Sequence, residues 1–339
     1  MAAKPTKKDD KSGLVPGPKN LRRLGRAKLS DSESDAWARC RDVVKRHKSA
    51  LIDRPGVIAV EVAPRLSQGQ ITRDPAIRVH VYRKRPRGSL SSEEILPERI
   101  EGFPVDVVAS TFRASSCRPV ARPSLRRWPY LQGGISIGTP RTRNLSTLGM
   151  IFLSDENPDL VLGLTAGHSF SIGEQVVQPA GGREGDVIGE VVDSEVSENL
   201  DVAVIAIDRS KRRFLAGVTA AGGPMSIGAL PIDDTEYKPV FMMGGCSGAR
   251  VGWARRSSES IPVDYPSGQV WMSEHIHILA EDRPALFNQG GDSGAMLLSQ
   301  NGELALGLII ASGEFEGQSF GLATPIDRIV RRFSLRLAV

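Results

Sequence analysis

Cysteine is scarce in this chain, aromatic side chains are few, and no long apolar run occurs. The 339 residues hold three cysteines, Cys40, Cys117 and Cys246. An odd, widely spaced set without a CxxC pair argues against a disulfide framework or a cysteine zinc site, and fits a reducing, cytoplasmic setting. No stretch approaches the roughly 18 apolar residues needed to span a membrane. The opening residues, Met-Ala-Ala-Lys-Pro-Thr-Lys-Lys-Asp-Asp, have no apolar core and do not read as a secretory signal. Phe, Trp and Tyr together make up 5% of the chain. Its basic stretches carry no interleaved aromatics, so base stacking, and with it nucleic-acid binding, is not expected.

What is abundant is turn chemistry. With 35 glycines and 22 prolines dividing short apolar runs, the composition predicts a mostly β protein. Charge is unevenly placed. Residues 1–48 carry 14 Lys/Arg against 6 Asp/Glu, so they hold +8 of a net +5 and leave −3 for the remainder. Residues 1–30 read as a basic, disordered arm. From Asp31 to about Leu51, Ala36, Trp37, Cys40, Val43, Val44 and His47 recur at helical spacing behind a Ser30 or Asp31 cap. Strands are expected at 57–62, 76–82 and 105–108, with a capped helical turn at Ser91–Pro97 between the last two; His80 falls on the polar face of its strand. Residues 31–112 thus form a small α/β module. An Arg/Pro-rich stretch over 113–132 reads as a linker. From 133 to 339, some 12–13 short apolar runs predict two antiparallel barrels, about 133–225 and 235–335, followed by a short helix at Pro325–Phe333.

Three short segments carry chemistry. Asn288-Gln289-Gly290-Gly291-Asp292-Ser293-Gly294 sets a serine between glycines ahead of an apolar strand. Alone this is equally a hairpin turn. A serine hydroxyl needs a base, and that base needs an orienting group. Leu162-Gly163-Leu164-Thr165-Ala166-Gly167-His168 runs an apolar strand into a histidine, and Asp201 heads the apolar run Val202–Ile207. Asp193 is a second candidate acid, but no such run follows it. His275 and His277 alternate on one strand face as a metal pair would, yet no cysteine or third histidine is near, and neither a metal nor an organic cofactor is expected.

Thr165-Ala166-Gly167-His168 resembles the Thr-Ala-Ala-His motif of chymotrypsin-like serine proteases. Asp201 with its apolar run resembles that family's Asp-(Ile/Val)-Ala-(Leu/Val), and Gly291-Asp292-Ser293-Gly294 its nucleophile loop, in the family's order. Gly244-Gly245-Cys246-Ser247-Gly248 is similar to the opening of the second barrel in bacterial members, and Leu308–Gly313 to the strand that pairs with substrate. The resemblance spans about 133–335. In the module, Ala76–Val81 and Ile100–Val108 resemble bacterial and plant trypsin-like proteins of the plant Narrow Leaf type.

The resemblance implies a chymotrypsin-like double β-barrel and a serine endopeptidase acting on protein or peptide substrates. It assigns Ser293 as nucleophile, His168 as base and Asp201 as its orienting acid. It places the oxyanion hole at the N–H groups of Gly291 and Ser293, and substrate contacts at Phe287, Ser312 and Gly313. The module then serves regulation or assembly, through a protein partner or a homo-oligomer. A protease-fold scaffold with little hydrolysis, or an esterase, are the rival readings. The sequence departs from the family in two ways. Ala295 stands where a second glycine is common, and about 130 residues precede the protease domain without an evident activation site, so Asp292 must find a partner other than a freed N-terminus or be solvated. Phe287, six residues before Ser293, argues against a preference for Lys or Arg and for a small or apolar one.

Overall fold

The computed structural model describes residues 29–67, 70–114, 125–141, 145–219, 226–232, 236–280, 286–315 and 318–338. Residues 1–28 of the basic arm, Cys117 and half of the Arg/Pro-rich stretch lie outside the described residues. Among the described residues no helix is long and apolar enough to cross a membrane.

Helix α1 (Asp31–Ile52) starts at a capping box: Ser30 Oγ accepts from the Glu33 N–H at 3.3 Å, and the Ser30 N–H donates to Glu33 Oε2 at 2.7 Å. It lays Trp37, Cys40, Val43, Val44 and Leu51 on a sheet of three strands, contacting Val60, Val62, Ile77 and Val79. In that sheet β1 (Val57–Ser67) runs antiparallel to β2 (Gln70–Val81), which pairs in parallel with β3 (Phe103–Ala114). The other face of the sheet is not solvated. Ile58, Ala59, Val108 and Phe112 pack on Trp253, Leu279, Ile310 and Phe320 of the second barrel. Residues 58–64 of β1 are therefore buried on both faces, and His80, expected on a polar strand face, lies 4% exposed inside this interface.

The expected double barrel is present. In the first barrel, β4 (Ile135–Ile137) pairs with β5 (Ser146–Leu148), whose chain bends at Gly149-Met150 into β6 (Ile151–Ser154). Next come β7 (Val161–Thr165), β8 (Gln175–Val177), β9 (Val187–Val196) and β10 (Asp201–Ile207), in the pairing order β6-β7-β10-β9-β8. A bridge between Gly138 and Val177 brings β8 back to β4. In the second barrel, β11 (Lys238–Gly244), β12 (Gly248–Arg256), β15 (Ile276–Ala280), β18 (Gln318–Pro325), β17 (Leu304–Phe315) and β16 (Met296–Ser299) pair in that order and close β16 onto β11. A hairpin of β13 (Ile261–Tyr265) and β14 (Gly268–Met272) stands between β12 and β15. Helix α2 (Ile326–Phe333) follows β18 and buries Ile326 and Ile329.

The Ser91–Pro97 stretch forms the expected capped turn, the Glu94 and Ile95 N–H groups donating to the Ser91 carbonyl at 3.1 and 3.2 Å and the Ser91 N–H to Glu94 Oε2 at 2.9 Å. Two local features differ from expectation. A short strand, Tyr130–Gly133, lies within the stretch read as linker, and β3 reaches Ala114 at its other end. β13 was not expected because Pro262 lies inside the run Ile261–Tyr265, and a proline within a short run argues against a strand.

Candidate active site

The two barrels bring His168, Asp201 and Ser293 together at their junction. β7 ends at Thr165, and the chain turns through Gly167–Ser169, which carries His168 off the strand end. Ala203 lies opposite Thr165 in the β10–β7 register, which sets Asp201, at the start of β10, beneath that turn. Asp201 is fully buried, and both carboxylate oxygens are used. Oδ1 accepts from the His168 backbone N–H at 3.0 Å and Oδ2 pairs with Nδ1 at 2.7 Å. The other ring nitrogen, Nε2, lies 3.1 Å from Ser293 Oγ. A carboxylate on Nδ1 favours the tautomer with its proton there, leaving Nε2 as acceptor toward the serine hydroxyl.

Ser293 is held by the opposite barrel. Its carbonyl accepts from Ser146 Oγ at 2.7 Å and from the Thr147 N–H at 2.8 Å, both on β5. Thr147 Oγ1 donates to the Gly291 carbonyl at 2.8 Å and accepts from the Gly245 N–H at 2.9 Å. The loop thus has its backbone fixed on both sides of Asp292 and at Ser293. Gly294 has φ +86, and a Cβ there would lie 2.3 Å from Thr165 Oγ1, so glycine is required where the loop crosses the first barrel. The N–H groups of Asp292 and Gly294 are engaged by the Gln289 and Ile309 carbonyls at 3.0 and 2.7 Å.

Asp292 has a partner and is not solvated. It is fully buried, with Oδ1 accepting from the backbone N–H groups of Cys246 at 3.1 Å and Ser247 at 2.8 Å, and Oδ2 from Gln289 at 3.0 Å. Burial pushes its carboxyl up from the usual range, opposed by these hydrogen bonds. The turn between β11 and β12 therefore supplies, with Gln289, the partners of Asp292.

The three expected substrate residues fare differently. Phe287 is 1% exposed and belongs to the second barrel's core, in the space left by Gly252 and Gly321. Beside it, buried Asn288 donates from Nδ2 to the Ala311 carbonyl at 3.1 Å. Ser312 and Gly313 lie on β17, where Arg113 and Phe112 of β3 stand opposite them. Sequence reasoning missed Tyr265, on β13. Its ring centroid lies 5.5 Å from that of His168, and burial together with the Asp201 carboxylate pushes its phenol up. No motif pointed to it, because it reaches the site only through the β13–β14 hairpin.

His80, His275 and His277 lie in a different place, the interface between module and second barrel. Glu61 Oε2 accepts from Arg255 Nη2 at 2.8 Å, its Oε1 lies 3.5 Å from Arg78 Nη1 and 3.4 Å from His80 Nε2, and His80 Nδ1 is 2.7 Å from Ser110 Oγ.

No family model matches the chain, and no curated protein matches it. Among solved structures, it is similar to Thermobifida fusca protease A (20% identity, TM-score 0.47, covering 62% of this chain and 99% of that one). It is also similar to a Cellulomonas bogoriensis chymotrypsin (21%, 0.45, 61% and 97%) and to Nocardiopsis protease (19%, 0.44, 61% and 98%). All three align with about the length of the two barrels and leave more than a third of this chain uncovered.

Proposed function

We infer that the chain is a serine endopeptidase. The observation that carries this reading is the His168 ring, held to buried Asp201 at 2.7 Å and to Ser293 Oγ at 3.1 Å, inside hydrogen-bond reach on both sides. In the proposed reaction Ser293 Oγ attacks the peptide carbonyl while His168 Nε2 takes its proton. Asp201 holds the ring and stabilises the imidazolium that results. The oxyanion lies against the N–H groups of Gly291 and Ser293, where losing one donor typically costs about 10²–10³ in rate. His168 then passes the proton to the leaving amine. An acyl ester remains on Ser293, and water, deprotonated by the same Nε2, hydrolyses it and restores the hydroxyl. Protein or peptide chains are the substrates. With Phe287 and no acidic residue six positions before Ser293, a small or apolar side chain next to the cleaved bond is the proposed preference. The buried thiols Cys40 and Cys246, neither of them in a disulfide, support a reducing cytoplasm, with Cys40 pushed up to about 12 by its burial.

The test is a fluorophosphonate probe, which phosphonylates an activated serine. We expect one labelled residue, mapped by mass spectrometry to Ser293. An unlabelled protein, or a label on another serine, would overturn the reading.

The buried Asp292 gives a second expectation. A Cβ at Gly244 would lie 2.1 Å from Asp292 Oδ1, so Gly244→Ala must displace the carboxylate that anchors the nucleophile loop. Misplacement of about 1 Å can cost about 10²-fold, and the labelling rate of this variant is expected to fall on that scale. A rate within twofold of wild type would mean that Asp292 does not set the loop.

A further inference from the structure

β3 has two halves with different partners. Residues 105–109 pair in parallel with β2 inside the module. Residues 110–114 leave it and pair antiparallel with β17 of the second barrel, Ala114 opposite Ala311 and Ser110 opposite Phe315. The edge of β17 they cover is continuous with the nucleophile loop. β16 occupies that edge up to the Met296–Leu308 pair, the Gly294 N–H then donates to the Ile309 carbonyl at 2.7 Å, and from Ala311 onward the partner is β3. On its other edge β17 is paired with β18 over the same residues. An extended polypeptide reaching Ser293 along β17 has one edge to add to, and the chain's own β3 is on it. The C-terminal end of β3 is the end nearest the nucleophile.

The side chains of this half-strand are anchored as a bound peptide's would be. Ser110, Phe112 and Ala114 point inward and are 2%, 4% and 6% exposed, while Thr111 and Arg113 are exposed. The Phe112 ring lies 5.6 Å from that of Phe320, centroid to centroid, and it shares a cluster with Ala114, Ile310 and Tyr265, the tyrosine whose ring is tilted against that of His168. On the far side, Asp264 of β13 stands opposite Arg113. A Cβ on Gly313 would lie 2.5 Å from the Thr111 carbonyl, so this edge is shaped for close approach of a second backbone. The rest of the module is held to the barrel independently, by the Glu61–Arg255 pair and by Lys48 with Glu259. Residues 110–114 can therefore come off β17 without undocking the module.

We propose that residues 110–114 of β3 hold the place of a substrate strand on β17, so that the site accepts an extended peptide of the pattern aromatic, any residue, small, and only after this half-strand has peeled away. The proposal rests on the protease reading above and adds to it the form in which substrate binds and what blocks it. An open state of about 1% would weaken apparent peptide affinity about 100-fold and lower kcat/KM by that factor. A small fluorophosphonate needs only Ser293 and no strand pairing.

The test uses the full chain with two probes, the fluorophosphonate and the fluorogenic peptide Ser-Thr-Phe-Arg-Ala-aminomethylcoumarin. Phe112→Ala removes the main anchor of the half-strand. Arg113→Pro removes a backbone donor and stiffens the strand. Either is expected to raise peptide hydrolysis about tenfold or more, the direction set by the larger open population, with the labelling rate within twofold of wild type. In a third variant, Thr111→Cys with Glu314→Cys joins two exposed residues that face each other across the pair. Oxidising it is expected to abolish peptide hydrolysis while labelling persists, and reductant restores hydrolysis. Peptide hydrolysis unchanged by both peeling variants, or equal in the oxidised and reduced forms, overturns the proposal while labelling of Ser293 leaves the protease reading standing. Absence of labelling in every form removes both.

Discussion

Asp201→Asn is expected to lower peptidase turnover and the fluorophosphonate labelling rate about 10⁴-fold, the usual scale when the acid of such a triad is made neutral and the geometry is kept. The reason lies in the two hydrogen bonds that Asp201 accepts. Its Oδ1 faces the His168 backbone N–H at 3.0 Å and its Oδ2 faces Nδ1 at 2.7 Å. An amide has one acceptor oxygen and one NH₂. If the oxygen keeps the backbone N–H, the NH₂ faces Nδ1, which must then be unprotonated. The proton moves to Nε2, and the atom 3.1 Å from Ser293 Oγ becomes a donor that cannot take the serine's proton. If the amide turns the other way, its NH₂ is driven against a backbone N–H in a fully buried place, where an unmet donor costs about 1–3 kcal/mol. Combining Asp201→Asn with Ser293→Ala should cost no more than Ser293→Ala alone, because the residues act as one unit. A loss below about tenfold in Asp201→Asn, measured on protein whose near-ultraviolet circular dichroism matches wild type, would mean that Asp201 merely supports the loop.

The proposed triad of His168, Asp201 and Ser293 was legible in the sequence because each member ends or begins an apolar strand, and strand ends are where a barrel gathers side chains. Thr165 and Ala203 pair across β7 and β10, which makes the meeting of His168 and Asp201 a matter of register. The strands of both barrels were legible for the same reason, apolar runs between glycines and prolines. What was not legible depends on contacts between distant segments. Asp292 finds its partners in the backbone of a turn some 45 residues earlier, and backbone donors leave no signature in side-chain identity. Tyr265 arrives on a hairpin interrupted by Pro262. The alternation of Phe112 and Ala114 with exposed residues reads as one half-buried strand and does not reveal that its pairing passes from β2 to β17 after Ala109. His80 looked like a solvent-facing position because the alternating pattern cannot tell a wet face from one covered by another domain.

That covered face holds the second large expected effect. Glu61→Gln is expected to destabilise the folded chain by about 3–5 kcal/mol, the usual cost of removing one partner from a buried ion pair. Glu61 sits at the junction of module and second barrel, 7% exposed, and is the carboxylate for both Arg78 and Arg255, themselves 2% exposed. Burial alone would raise its carboxyl, but Arg255, His80 and Arg78 hold it well below the usual range. A glutamine keeps the shape and removes the carboxylate charge that faces both guanidinium groups. The histidines in contact with this cluster extend the effect to pH. Burial lowers His80 and His277, and pushes His275 down to about 4, each with Arg255 acting in the same direction and Glu61 opposing. These rings are neutral when folded and titrate near 6.5 when unfolded. Their contribution is therefore complete above about 6.5 and is lost as pH falls, for His275 down to about 4. Glu61, lowered in the fold, loses its contribution in the same direction at still lower pH. Removing Glu61 lowers these rings further, but they are neutral in the fold with or without it, so both proteins should lose stability to a similar extent between pH 7.5 and 5.0 while the offset between them is kept. Urea unfolding at pH 7.5 and pH 5.0 measures both effects. A Glu61→Gln midpoint within error of wild type at pH 7.5 would mean that the module is held by its apolar contacts through Ile58 and Val108 and that the buried charges add nothing to docking, and no loss on acidification in either protein would mean that the three histidines are not held neutral.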